Sequence, residues 1–205
     1  MSSNQLNEIE KRYRATLEKQ SFHRLNIHLT YLFSVDSTQD FASRKLSSSN
    51  EGDIVISEIQ THGRGREGRP WISDKGGLWM TLTLVPPNPA VLEKVPFIAV
   101  NSIVESLNDF HVPSCRIKPP NDVYCKDRKI AGILPDSKLQ GNESLVYLGI
   151  GININNYVTK NETISAIATS VVKEIGHQVD IVDFTLALLK HLDLNYDSVL
   201  TSLGL

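Results

Sequence analysis

The segment between Gln60 and Trp71 combines residue types that bind anions. Three glycines alternate with three arginines at positions 63 to 69, and no Val, Ile, Leu, Met, Phe or Tyr interrupts the segment. Glycine lets a backbone approach a ligand closely, and the guanidinium group offers fixed donors that match phosphate or carboxylate oxygens. The segment therefore predicts a loop that wraps an anionic ligand. A solvated connector is the alternative, but flexible linkers favour serine, glycine and acidic residues over regularly spaced arginine.

A second candidate segment begins at residue 116. It reads Arg-Ile-Lys-Pro-Pro-Asn-Asp-Val-Tyr and is followed, from residue 129, by Lys-Ile-Ala-Gly-Ile-Leu. Two prolines keep the backbone extended after Lys118, so this lysine can hold a fixed positive charge on a reacting phosphate. Asn121 and Asp122 add amide and carboxylate oxygens at the turn. A surface hairpin with solvated lysines is the alternative interpretation.

Two shorter segments complete the set of candidates. Ser37-Thr38-Gln39 follows a strand-like segment and is either a helix N-cap or a group that hydrogen-bonds a ligand. Residues 149–156 alternate glycine and isoleucine and end in asparagines, which gives a strand one bare face that backbone or ligand can approach. The asparagines are candidates for nucleotide or metal contact. Close packing of this strand under a helix is the alternative.

The composition describes the body that carries these segments. A chain of 205 residues with 40% hydrophobic and 21% charged residues is typical of one soluble globular domain with a substantial core. Its net charge of −2 lacks the basic character of a general nucleic-acid binder, and no apolar stretch approaches the ~20 residues of a membrane span. The polar N-terminus does not resemble a signal peptide. We therefore expect a cytoplasmic protein with no nucleic-acid or membrane partner, in which Cys115 and Cys125 are reduced.

The hydrophobic pattern predicts an α+β fold in which a mixed, largely antiparallel sheet packs against helices. Strands are predicted at residues 27–35, 53–59, 77–85, 114–118, 121–126, 129–134 and 144–152. Helices are predicted at residues 4–20, from 37 to about 46, 90–110, 164–175 and 181–201. The first helix is too small for a helix-turn-helix unit. The expected organisation is an N-terminal helical extension (1–22) followed by one main domain (23–205).

In this order, the four segments resemble the signatures of the catalytic domain of biotin protein ligases, also called biotin–[acetyl-CoA-carboxylase] ligases. Those signatures are a Ser-Thr-Asn stretch, a Gly-Arg-Gly-Arg-x-Gly-Arg-x-Trp loop, a Lys-Trp-Pro-Asn-Asp turn leading to Lys-Ile-Ala-Gly-Ile-Leu, and a Gly-Ile-Gly-Ile-Asn-Val-Asn strand. The resemblance covers residues from about 31 to 156 and implies the class II synthetase-like fold of biotin and lipoate ligases. It makes residues 23–205 the catalytic domain, without the small C-terminal β-domain common in the bacterial enzymes.

The implied activity is the ATP- and Mg²⁺-dependent conversion of biotin to biotinyl-5′-AMP, followed by transfer of biotin to a lysine of a biotin carboxyl carrier domain. A homodimer is compatible with the resemblance. The implied biotin-binding residues are Ser37, Thr38, Gln39, Gln60, Gly63, Arg64, Gly132, Gly149 and Gly151. The implied nucleotide-binding residues are Arg66, Trp71, Asn121, Asn153 and Asn155, and the implied metal ligand is Asp122. Lys118, Arg64 and Arg66 are the implied catalytic residues, since joining a carboxylate to a phosphate brings together two anions whose repulsion cations relieve.

Three departures from the family pattern have expected consequences. Pro119 stands where tryptophan is usual, which removes an apolar lid element and a backbone donor. Pro135-Asp136 replaces Val-Glu and predicts that the strand is interrupted or lies at an edge. Gln39 stands where asparagine is usual. Two alternative functions stay open, namely a lipoate–protein ligase-like enzyme and a non-catalytic homologue that binds biotin or biotinyl-AMP.

Overall fold

A seven-stranded sheet frames the computed structural model, which describes residues 7–45, 48–140, 143–158 and 166–205. The strands are β1 (His28–Val35), β2 (Asp53–Gln60), β3 (Leu78–Leu84), β4 (Cys115–Lys118), β5 (Asp122–Cys125), β6 (Arg128–Gln140) and β7 (Glu143–Ile152). Their order across the sheet is β1-β2-β3-β7-β6-β5-β4. Only β1 and β2 pair in parallel; the other neighbouring pairs are antiparallel. The predicted fold class is therefore confirmed.

Helices cover both faces of this sheet. They are α1 (Glu8–Leu17), α2 (Thr38–Arg44), α3 (Pro89–Leu92), α4 (Val95–Asp109), α5 (Val171–Ile175) and α6 (Ile181–Ser202). Alternation along β2 shows how the faces divide, because Ile54 and Ile56 belong to the large core that includes α4 and α6, whereas Val55 packs with Ala42 of α2. None of the described helices is both long and apolar enough to cross a membrane.

Two predicted helices differ from the observed ones. The single helix predicted at 90–110 is divided into α3 and α4, because Pro96 lies in the first turn of α4, where a missing N–H is tolerated. In the helix predicted at 164–175, residues 166–170 are not helical, and α5 begins only after its N-cap residue Ser170. There Ala168 instead forms a β-bridge with Lys129. The parts of the predictions that fall on residues 4–6, 46–47 and 164–165 lie outside the described residues.

The two cysteines form a disulfide, so the expectation of reduced thiols is wrong for this structure. Cys115 and Cys125 lie directly opposite each other in the β4–β5 register, and their sulfur atoms are bonded. Their spacing in sequence did not reveal this because the contact depends on the strand register. The bond joins the open end of the hairpin whose turn carries Asn121.

Pro135 lies within β6 and does not interrupt it. The residue pairs with Leu148 of β7, whereas the last β6 residue that pairs with β5 is Gly132. Beyond Gly132 the strand β6 is therefore at the edge of the sheet, where a residue without an N–H is tolerated. Pro135 was expected either to interrupt the strand or to lie at an edge, and in the structure it lies at an edge.

Candidate active site

A cavity of about 660 Å³ lies between the start of α2, the loop after β2 and the β4–β5 hairpin. Its size is within the range of small-molecule sites. Most of the residues predicted from the sequence line it, namely Ser37, Thr38, Gln39, Gln60, Arg64, Arg66, Trp71, Asn121, Asp122, Gly132, Gly149, Gly151 and Asn153. Three predicted residues, Gly63, Lys118 and Asn155, are not part of the lining. Pro119 does not line the cavity either.

A chain of hydrogen bonds fixes the end of the cavity next to α2. Thr81 Oγ1 donates to Thr38 Oγ1 (2.9 Å), and both the backbone N–H and the hydroxyl of Thr38 donate to Gln60 Oε1 (2.8 and 3.1 Å). Gln60 Nε2 in turn donates to Ser73 Oγ at 2.8 Å. These contacts join the first turn of α2, capped by Ser37, to the last residue of β2. The side chains of this chain of hydrogen bonds are uncharged and give the α2 end of the cavity many hydrogen-bonding groups.

The glycine- and arginine-rich loop is closed by its own backbone. The N–H of Trp71 donates to Gly63 O (2.8 Å), and the N–H of Gly65 donates to Arg69 O (2.7 Å). Gly63 is packed closely against the loop, since a Cβ atom there would collide with Trp71 O and lie 2.6 Å from Ser73 Oγ. Arg66 opens a short 3₁₀ turn in the middle of the loop and extends its side chain to Asn121 Oδ1 at 3.1 Å. The loop thus connects the α2 side of the cavity with the β4–β5 turn.

The cationic side chains that line the cavity differ in whether a carboxylate pairs with them. Arg64 contacts Asp40 and Asp136, Arg69 contacts Glu67, and Lys129 contacts Asp122. Among the described residues, Arg66 is the one lining cation with no carboxylate within 4.0 Å. An incoming anion therefore meets Arg66 without displacing an acidic partner.

Glycines of β6 and β7 form the floor of the cavity. Gly132 and Gly151 pair across the two strands, and the ring of Trp71 lies over both. A Cβ atom at Gly151 would be 2.7 Å from Trp71 Nε1, so only glycine fits this approach. The same Nε1 is buried and has no hydrogen-bond partner among the described residues. The indole therefore presents an unsatisfied donor at the floor of the cavity.

Lys129 lines the cavity although the sequence interpretation assigned it no role. Its ammonium lies 2.6 Å from Asp122 Oδ1 and 4.9 Å from the centre of the Trp71 ring. Strict alternation would place Lys129 and Gly132 on opposite faces of β6. A register shift pairs Tyr124 with Lys129 and Asp122 with Gly132, which brings both β6 residues to the cavity face. Lys129 belongs to the Lys-Ile-Ala-Gly-Ile-Leu motif, so the motif could have indicated a role for it. The bulge that turns Lys129 toward the cavity could not be predicted from the motif.

Lys118 lies at the outer edge of the same hairpin. It is exposed, pairs in register with Asp122, and places its ammonium 4.5 Å from the centre of the Tyr124 ring. Tyr124 itself lines the cavity. The structure therefore separates the two lysines, with Lys129 inside the cavity and Lys118 beside its wall.

The asparagines after β7 differ in what they contact. Asn153 lines the cavity and donates to Thr169 O at 3.0 Å. Asn155 instead exchanges two hydrogen bonds with the backbone of Val179 (2.8 and 3.1 Å), and this explains its absence from the lining. Asn156, a candidate from the end of this segment that the resemblance did not include, lines the cavity and donates to Asn153 Oδ1 at 2.9 Å.

Glu174 of α5 supports the turn from which Lys129 extends. Its side chain is 1% exposed and contacts Lys126 and Arg128 at 3.1 and 3.0 Å. Burial acts to raise the pKa of Glu174, but the hydrogen bond from Thr169 and the nearby Lys126 outweigh it, so the pKa lies below its ordinary value of 4.5. The carboxylate therefore stays ionised and holds the β5–β6 turn against α5.

A magnesium ion fits this donor set only when phosphate oxygens complete its coordination. No cluster of three or more His, Cys, Asp or Glu side chains suited to a metal occurs in the part of the chain that the structure describes. Asp122 lines the cavity with one carboxylate, whose Oδ1 pairs with Lys129, and Asn121 adds an amide oxygen that accepts a hydrogen bond from Arg66. Mg²⁺ typically binds through one or two carboxylates together with substrate phosphates. The residues present are consistent with that shared type of site.

A sheet of this topology, with an arginine loop above a glycine floor, defines the class of the protein. The chain belongs to the biotin/lipoate A/B protein ligase family, whose model matches residues 31–153. Within the family, the chain is similar to biotin ligases. It is 35% identical over 161 residues to the bifunctional ligase/repressor BirA of Bacillus subtilis, covering 75% of this chain and 49% of that protein.

Two further comparisons agree with this similarity. The biotin–[acetyl-CoA-carboxylase] ligase of Paracoccus denitrificans is 33% identical over 159 residues, covering 75% of this chain and 66% of that protein. The biotin protein ligase of Aquifex aeolicus, solved in complex with biotin and ATP, superposes with a TM-score of 0.70 at 32% identity, covering 83% of this chain and 71% of that chain. The chain thus spans about half the length of the Bacillus relative and two thirds of the Paracoccus relative.

Proposed function

We propose that this protein activates biotin with ATP to form biotinyl-5′-AMP and transfers the biotin to a lysine of a biotin carboxyl carrier domain. One observation carries the proposal: a single cavity joins an end with neutral hydrogen-bonding groups at Thr38 and Gln60, where carboxylates offset the charge of Arg64, to a cationic end at Arg66 and Lys129. Biotin has the same division, with a neutral ureido ring at one end and a carboxylate at the other. The Aquifex relative binds both biotin and ATP, which supports the assignment of substrates.

The first step needs charge neutralisation more than a nucleophile on the enzyme. A biotin carboxylate oxygen attacks the α-phosphorus of ATP, the bond to pyrophosphate breaks, and pyrophosphate leaves. Two unit charges 4 Å apart repel by roughly 4 kcal/mol at an effective dielectric constant of 20. Arg66 and Lys129 are placed to offset this repulsion, and the ion pair with Asp122 keeps the Lys129 ammonium in the cavity. Lys118, at the outer edge, is proposed to contribute from the solvent side.

Asp122 and Asn121 would hold Mg²⁺ together with the phosphates of ATP, and the ion would neutralise the departing pyrophosphate. In the second step the amine of the acceptor lysine attacks the mixed-anhydride carbonyl and AMP leaves. The loop between Gln60 and Trp71 would exclude water from this reactive bond until the acceptor arrives. A cytoplasmic site of action belongs to the proposal because the reaction consumes ATP.

The proposal is tested by incubating the purified chain with ATP, Mg²⁺, labelled biotin and a biotin carrier domain. We expect label on the carrier domain only when ATP is present, and none on a carrier whose acceptor lysine is replaced by arginine. Absence of both biotinyl-AMP and labelled carrier would contradict the proposal. Tight binding of biotinyl-AMP without turnover would instead favour the non-catalytic homologue.

A further inference from the structure

The guanidinium of Arg64 is held by one hydrogen-bond acceptor, Gln39, and by two carboxylates, which come from two different elements. Its Nη1 lies 3.1 Å from Asp40 Oδ1, and its Nη2 lies 3.2 Å from Gln39 Oε1 and 3.5 Å from Asp136 Oδ2. Gln39 and Asp40 belong to the first turn of α2, whereas Asp136 belongs to β6. Arg64 therefore links α2 to the far end of β6 across the cavity.

Gln39 can act only as an acceptor toward Arg64. The residue is 4% exposed, and its Nε2 donates to Leu134 O (2.6 Å) and to Tyr147 O (2.7 Å). Both amide hydrogens are thus used, which fixes the orientation of the amide and leaves its oxygen for Arg64. A Cβ atom at Gly149 would lie 3.1 Å from this oxygen, so the glycine makes room for it. The shorter side chain of asparagine, usual here in the family, would not span the same carbonyls.

The sheet and helix place the two carboxylates where Arg64 needs them. Gly132 and Leu134 line the cavity, and Asp136 is the next residue on the same face of β6. Asp40 lies one turn along α2 from Ser37, whose hydroxyl caps the helix. Both carboxylates are about one third to two fifths exposed (34% and 40%), so water partly screens each ion pair.

We infer that Gln39, Asp40 and Asp136 form a clamp that positions Arg64 over the α2 end of the cavity. The inference rests on the proposed function for its effect on biotin. Two carboxylates offset the charge of Arg64, so Arg64 shapes the vitamin-binding end and holds the loop there. Neutralisation of the reacting anions then falls to Lys129 and to Arg66, which has no carboxylate partner among the described residues. The three clamp residues are positioning residues that act through Arg64.

The clamp is tested first without ligand, by hydrogen exchange of the backbone between Gln60 and Trp71. The double variant Asp40→Asn/Asp136→Asn keeps side-chain shape while removing both carboxylates. We expect its loop to exchange about three- to tenfold faster than wild type, in line with two partly exposed ion pairs. Asp127→Asn is the matched control, because Asp127 pairs with Arg116 outside the cavity, and it should leave loop exchange unchanged. A melting temperature close to wild type shows that each variant is folded.

The second measurement separates positioning from a merely structural role. In biotin activation the double variant should raise the KM for biotin about tenfold and change kcat by less than about threefold. Asp136→Glu should keep loop exchange and KM near wild type, since it retains the carboxylate. Unchanged loop exchange in the folded double variant would overturn the clamp. Failure of wild type to bind biotin would instead overturn the proposed function, while the exchange measurement would still decide the clamp.

Discussion

The two lysines of the β4–β6 region have different positions relative to the cavity, and we expect different contributions from them to catalysis. Lys129 lies inside the cavity, paired with Asp122 and stacked near Trp71, whereas Lys118 is exposed beside Tyr124. The motif around Lys118 predicted a fixed cation at that position, whereas Lys129 had been given no role. The register shift in β6 turns Lys129 toward the cavity.

Lys129→Ala should therefore lower the rate of biotinyl-AMP formation about 100-fold or more, the size of effect typical of losing a preorganised charge in an active site. Lys118→Ala should lower it less than about tenfold, since an exposed charge is screened by water. Release of pyrophosphate in single-turnover experiments measures both rates. A severe loss in Lys118→Ala with near-normal rates in Lys129→Ala would reverse this assignment.

Much of the candidate site was predictable from sequence because its residues occur in compact motifs. Thr38, Gln60, Arg66 and the glycines of β7 all line the cavity as expected. Contacts between distant segments were not predictable. The disulfide depends on the register of β4 and β5. Asn155 hydrogen-bonds the backbone of Val179, which lies 24 residues away in sequence.

Short connecting segments position the helices and strands around the cavity. The tertiary contacts that fix these segments could not be predicted from the hydrophobic pattern. Helix positions were predicted well where the pattern was long, as in α6, whose observed bounds of Ile181–Ser202 match the predicted 181–201. They were predicted poorly at residues 166–170, because a β-bridge to Lys129 takes these residues into an extended segment. Local periodicity does not report such a tertiary contact.

We expect the stability contributed by Glu174, which links α5 to the β5–β6 turn, to depend on pH. Its pKa is lowered in the folded protein, so its contribution to stability is fully present above 4.5, and is lost as the pH falls from there through the folded-state value. Glu174→Gln should lower the free energy of unfolding by about 2 kcal/mol at neutral pH and flatten its decline in acid. Urea denaturation at a series of pH values measures this. An equally steep acid decline in the variant would contradict the prediction.

Asp193 of α6 anchors the segment that leads into β1. Its buried carboxylate accepts hydrogen bonds from the backbone N–H groups of His23, Arg24 and Leu25. Asp193→Ala should lower the free energy of unfolding by about 3 kcal/mol, because it leaves three backbone donors without their acceptor, including the N–H of buried Leu25. Asp197→Asn is the control on the same helix and should cost less than about 1 kcal/mol, since Asp197 forms a partly exposed pair with Arg24. Equal losses in the two variants by urea denaturation would count against this role.

At the scale of the whole molecule, the sheet brings residues from four separate motifs to one cavity. The α1 helix packs against α6, where the hydroxyl groups of buried Tyr13 and Thr185 lie 3.0 Å apart. The segment that we expected to be an extension thus contacts the main core directly. The fold class followed from the alternating and helical patterns, while the placement of the helices on the two sheet faces required the structure.

ATP–pyrophosphate exchange measures directly whether this cavity joins biotin to AMP. With Mg²⁺ present, we expect exchange that depends on biotin, is not supported by lipoate, and falls sharply in Lys129→Ala. Exchange supported by lipoate but not biotin would contradict the claim in favour of a lipoate ligase. No exchange with either acid, from a folded protein, would contradict it altogether.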